Sequence, residues 1–158
     1  MNTVPQTPGL PGMHELYSAK TIAFVVDRLA QEISLDLCGA NPILVGVLNG
    51  SIPFLADLMR RLQFPLEIAY MATSSYQGTK STGQVKMLRG LDSTVQDRHV
   101  VLVEDIVDTG ITTTTALRYL GRWRPESIKV CALMDKPSRR RMPVSIDYVG
   151  MTVPDVFV

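Results

Sequence analysis

The stretch Val101-Leu102-Val103-Glu104-Asp105-Ile106-Val107-Asp108-Thr109-Gly110-Ile111-Thr112-Thr113-Thr114 decides the fold. An apolar run, Val100 to Val103, reads as a buried strand that meets acids, then a short turn with a glycine, then a helix start crowded with hydroxyls. In an open α/β sheet, ligands bind at the loops leaving the carboxyl ends of central strands, where the free amides of the next helix attract an anion. Thr109, Gly110, Thr112 and Thr113 have the chemistry of such a cradle, because Gly110 permits a positive φ and the threonines add donors. Three acids beside the cradle would repel a bare phosphate. The ligand must therefore bring vicinal hydroxyls, a divalent cation, or both. A ribose phosphate with magnesium satisfies all of these. Neither the lysine-bearing P-loop nor a GxGxxG turn is present in the sequence.

Outward from this stretch, helices and strands alternate. Ile22, Val25, Val26, Leu29 and Ile33 recur at helical spacing from Glu15 onward, and the helix ends near Gly39 and Pro42. Ile43 to Leu48 is almost wholly apolar, as expected of a central parallel strand. Asn49-Gly50-Ser51 turns the chain into a second helix carrying Pro53, Phe54, Leu58 and Leu62, and Leu66 to Met71 supplies the next strand. The polar stretch Thr73 to Gly83 lies between strand-like segments and reads as a long hairpin or mobile flap. Beyond the acidic turn, the pattern predicts a helix over Thr113 to Arg122 and a strand over Ser127 to Leu133. Short strands at Ile146 to Val149 and Val156 to Val158 complete it. The expected fold is an open, mostly parallel twisted α/β sheet with helices on both faces and a flexible hairpin lid.

Composition narrows the function. A chain of 158 residues fits one domain able to bury its own core. With 16 basic against 15 acidic residues, no global field draws it to nucleic acid or anionic lipid, so any anion site is local. Residues 1–13, rich in Pro and Gly, read as a disordered tail, and residues 14–158 as the folded domain. No secretory signal or membrane-spanning run is evident, so a cytoplasmic location without membrane partners is expected. Cys38 and Cys131 lack metal-ligand spacing and read as small core residues; His14 and His99 read as isolated surface residues. Arg139-Arg140-Arg141 reads as a solvated basic turn.

Residues Val101 to Thr114 closely resemble the phosphoribosyl pyrophosphate signature of type I phosphoribosyltransferases. Further segments point to the hypoxanthine-guanine branch: Val47 to Ser51 with Phe54 to Leu58, Ser75-Tyr76 with Ser81 to Gly83, Leu133 to Ser138, and Val153 to Val158. The resemblance implies transfer of ribose 5-phosphate from phosphoribosyl pyrophosphate to N9 of hypoxanthine or guanine. IMP or GMP and pyrophosphate would result, with Mg2+ as cofactor. It implies that Glu104 and Asp105 hold the ribose hydroxyls, directly or through the metal. Asp108, Thr109, Gly110, Ile111, Thr112 and Thr113 would take the 5-phosphate. Asp108 would also face purine N7 as general base. Leu48, Asn49 and Gly50 would bind pyrophosphate through backbone amides, with the peptide after Leu48 expected to be cis. Asn49 stands where the family commonly has Lys or Arg. Lys136 would donate to the purine 6-oxo group, Phe157 would stack on the ring, the Val158 backbone would read its edge, and Ser75-Tyr76 would close over the reaction centre.

The family pattern continues past Val158 with a Gly-rich strand end, an aspartate for a second magnesium and an arginine near pyrophosphate, so the domain is expected to be short at that end. A homodimer or homotetramer is implied, and no nucleic-acid partner. Three other readings stay open. One is a non-catalytic regulator that binds nucleotides or RNA, and another is a pyrimidine-type relative. The third is a phospho-acceptor receiver domain, against which the threonine-rich cradle argues.

Overall fold

A computed structural model describes residues 15–75, 85–89, 91 and 93–155. The expected tail over 1–13, His14, the flap tip over 76–83 and the expected strand Val156 to Val158 lie outside the described residues. Six strands form one sheet in the order β3-β2-β1-β4-β5-β6. They are β1 (Ile43–Leu48), β2 (Glu67–Ser75), β3 (Val85–Arg89), β4 (His99–Val107), β5 (Ser127–Asp135) and β6 (Tyr148–Thr152). All neighbours pair in parallel except the edge pair β2 and β3, which is antiparallel and forms the stem of the expected hairpin.

Among the described residues three α-helices cover the sheet: α1 (Ala19–Leu37), α2 (Ser51–Met59) and α3 (Ile111–Gly121). The first starts four residues after Glu15, where the Ser18 hydroxyl accepts from the Thr21 amide at 3.1 Å and caps the helix. Strand alternation divides the core. Leu44, Val101, Val103, Cys131 and Leu133 face α1 and α2, where Val26, Leu29, Ile33, Leu55 and Leu58 meet them. Ile43, Val45, Val100, Leu102 and Val130 face α3 through Ala116 and Leu120. Helices thus lie on both faces, as expected. No helix among the described residues is long and apolar enough to cross a membrane.

Several local expectations need correction. The strand that carries the acids does not end at Val103 but runs to Val107, because β5 keeps pairing with it through Val107 and Asp135. The third helix begins at Ile111, since Gly110 already serves as its N-cap. Ile146 precedes β6 rather than joining it, and Cys38 is exposed at the end of α1 while Cys131 is buried. His99 is part-buried and its Nδ1 lies 2.8 Å from Ser127 Oγ.

The sheet opens at one seam. β1 pairs with β4 only as far as Gly46 and Val103. On their outer sides the same strands go on pairing, β1 with β2 to Leu48 and Ala72, and β4 with β5 to Val107 and Asp135. From β1 the chain proceeds to one side of the sheet and from β4 to the other, so this is its topological switch point, where a crevice forms at the strand ends.

Candidate active site

Two turns flank the crevice. On the β1 side, the Leu48-Asn49 peptide is cis, as expected from the resemblance. The turn is tied to its strand by the buried Ser51 hydroxyl, which donates to Val47 O at 2.6 Å. Gly50 caps α2 with an ordinary φ of −60° and no side-chain bond. Its missing side chain serves another purpose: a Cβ there would overlap the Asp105 carboxylate. Asp105 thus lies against the amide end of α2, where a helix favours negative charge.

Glu104 and Asp105 are adjacent but diverge, because successive strand residues point to opposite faces. Asp105 goes with Val103 toward α2, and Glu104 goes with Leu102 toward α3. Glu104 is only 4% exposed. Its Oε1 and the Thr114 hydroxyl are buried without a hydrogen-bond partner among the described residues, and the Thr113 hydroxyl stands beside the carboxyl. Burial pushes its carboxyl up to about 7; the Thr113 hydroxyl and the Arg140 charge pull the other way, while Asp105 reinforces the rise. A buried carboxyl oxygen and a hydroxyl left without partners are costly to keep unless a ligand uses them.

On the β4 side, Gly110 adopts φ +80° and caps α3 with no side-chain bond. A side chain at Gly110 would strain the backbone and would meet Met142 O at 2.6 Å. The amides of Thr112 and Thr113 belong to the first turn, which has no intrahelical acceptors. The Ile111 amide has only a long contact of 3.4 Å to Thr109 Oγ1. Donors therefore converge at this turn on a position where an anion can sit. Asp108 stands beside it, with Oδ1 3.4 Å from Arg139 Nε.

Lys136 follows β5 directly, is 4% exposed, and donates its backbone amide to Val107 O at 3.0 Å. This places it beside the loop that carries Asp108. The arginine run is solvated at Arg139 and Arg141, as expected, but not at Arg140, whose side chain is mostly shielded and corrects the expectation there. Arg139 also approaches Asp155 at 3.6 Å, and Arg140 forms an ion pair with Asp135 in which both side chains are 17% exposed. Arg141 is exposed. Sequence reasoning missed Arg139, Arg140 and Asp155 as neighbours of the site. The run of three arginines shortly after Asp135 was the available signal, but it gives no direction for the side chains. Ser75 ends β2 by its backbone, and Tyr76, Phe157 and Val158 lie outside the described residues.

The chain is similar to known proteins over most of its length. Residues 12–158 match the phosphoribosyl transferase domain. A hypoxanthine-guanine phosphoribosyltransferase from Streptococcus mutans is 41% identical over 145 residues, covering 90% of this chain and 80% of the relative. A hypoxanthine phosphoribosyltransferase from Salmonella typhimurium is 44% identical over 76% of this chain and 68% of its own length. Among solved structures, a hypoxanthine-guanine phosphoribosyltransferase from Bacillus anthracis superposes with a TM-score of 0.86 at 35% identity, covering 92% of this chain and 86% of the other. The Trypanosoma cruzi hypoxanthine phosphoribosyltransferase in complex with its product IMP gives 0.78 at 36% identity, covering 87% and 79%. With its signature turn at the switch point of the sheet and these relatives over most of its length, the chain belongs to the phosphoribosyltransferase family.

Proposed function

We propose that the protein is a purine salvage transferase that moves ribose 5-phosphate from phosphoribosyl pyrophosphate to N9 of hypoxanthine or guanine. The C1′ bond to pyrophosphate breaks, the bond from N9 to C1′ forms, and the imidazole ring of the base gives up its proton. The observation that carries this reading is the crevice between β1 and β4, with an open helix N-terminus on one wall and a carboxylate on each face of the sheet.

The residues divide the work by chemistry. The amides of residues 109–113 and the Thr112 and Thr113 hydroxyls take the 5-phosphate. Glu104 and Asp105, diverging from one strand, grip the ribose diol from two directions. Asp108 accepts the proton leaving purine N7. Lys136 donates to the 6-oxo group, which disfavours adenine because its 6-amino group is itself a donor. The amides of Leu48 to Gly50 hold pyrophosphate, Phe157 stacks on the ring, the Val158 backbone reads its edge, and Ser75 with Tyr76 closes the site against water.

Mg2+ suits the donors present. It takes one or two carboxylates and borrows its remaining oxygens from water and substrate, and the partnerless Glu104 Oε1 is a ligand of that kind. Glu104 and Asp105 would hold the ion, and no cluster of three or more His, Cys, Asp or Glu able to hold a metal occurs among the described residues. When bound, the ion neutralises charge on pyrophosphate as it departs. A cytoplasmic homodimer or homotetramer belongs to the same proposal, and sedimentation would measure the assembly.

Incubation with phosphoribosyl pyrophosphate, Mg2+ and each nucleobase tests the proposal. IMP and GMP should form from hypoxanthine and guanine. Binding of the sugar phosphate without any product would instead establish a regulator, and UMP from uracil a pyrimidine enzyme.

A further inference from the structure

The segment after β5 passes behind the β4-α3 loop. Arg141 N and Met142 N both donate to Thr109 O, at 2.9 and 3.0 Å, and Lys136 N donates to Val107 O at 3.0 Å. In a trans peptide the carbonyl and the following N–H point in opposite directions. Pulling the carbonyls of Val107 and Thr109 backward therefore turns the amides of Asp108 and Gly110 forward, toward the anion position. What fixes this segment is Arg140. Its guanidinium pairs with Asp135 at the end of β5 and reaches Val107 O at 3.5 Å, while its Cδ would lie 3.0 Å from a Cβ on Gly110.

We propose that Arg140, anchored by Asp135, is a positioning residue for the 5-phosphate: it braces the loop from behind and aims its amides without touching the ligand. The inference rests on the reading of residues 108–113 as the phosphate site. Both partners are mostly shielded from water, so the pair resists screening better than a surface pair does. Arg140 thereby joins the end of the purine-reading strand to the phosphate turn.

The test compares IMP with inosine, which differ only in the phosphate, by calorimetry on the wild type and two variants. Arg140→Met removes the brace, and Arg140→Met with Asp135→Asn removes it without leaving a half-buried carboxylate unpaired; thermal melting checks that each folds. The brace predicts that IMP affinity falls about tenfold in a folded variant while inosine affinity stays unchanged, as for the loss of one or two well-aimed hydrogen bonds. Equal losses for both ligands, or no loss for either, would overturn it. If the wild type binds IMP no better than inosine, the phosphate site itself is misassigned, a failure visible before any substitution is made.

Discussion

The two glycine turns at the crevice look alike in sequence, and each leads from a central strand into a helix, yet they use glycine for different reasons. Gly50 has an ordinary backbone and gives up its side chain so that Asp105 can press against the start of α2. Gly110 gives up its side chain because its φ of +80° requires it. One helix end has a protein carboxylate packed beside its first glycine, and the other has no side-chain cap. A monoester therefore belongs at the α3 turn, and the α2 turn is left to a ligand that approaches its backbone from outside.

The largest expected effect tests the chemistry beside the open turn. Asp108→Asn should lower kcat by ~10^2 to 10^4-fold, the usual scale for a lost general base, with phosphoribosyl pyrophosphate binding intact. Titration of the bound sugar phosphate separates these two quantities. Wild-type turnover in that variant would remove the proposed role.

Next comes the buried acid between the turns. Glu104 is held at about 7 in the fold against an ordinary 4.5, so the folded chain keeps that proton longer than the unfolded chain does. Stability should be fully present below 4.5 and decline as pH rises to about 7, by about 3 kcal/mol at most. Glu104→Gln should flatten the decline, as followed by urea unfolding of the ligand-free protein across that pH range.

The direct comparison of glycines follows. Gly110→Ala should cost ~1–3 kcal/mol through strain and collision with Met142 O, and should weaken IMP binding. Gly50→Ala, with its ordinary φ, should cost less in melting temperature and act chiefly by displacing Asp105. The reverse ranking would mean that the two turns have been assigned the wrong way round. The smallest effect concerns the outer turn alone. Asn49→Lys adds a charge where only backbone donors are proposed, and should tighten pyrophosphate inhibition by roughly threefold to tenfold, less at high salt.

Much of this frame is legible in the residues. Ile43 to Leu48 is apolar throughout because both its faces are covered, and its observed bounds match that run. The same logic fails at Glu104, because hydrophobicity marks only where a strand is buried among apolar neighbours, whereas pairing with β5 continues for four more residues. The cradle is legible because glycine and hydroxyls at a helix start have few other uses in that order. Arg139 and Arg140 are not legible, since their direction depends on Asp135, Asp108 and Asp155, which the fold brings to them from three separate segments. The divergence of Glu104 and Asp105 follows from simple alternation, but only once both are known to lie within the strand.

The early end of the ladder between β1 and β4 has a wider consequence. A notch framed by two strands that are each stitched to an outer neighbour owes its width to backbone pairing. Substitutions on its rim can then alter which base is gripped while the opening itself stays the same, so selectivity and architecture are free to drift apart.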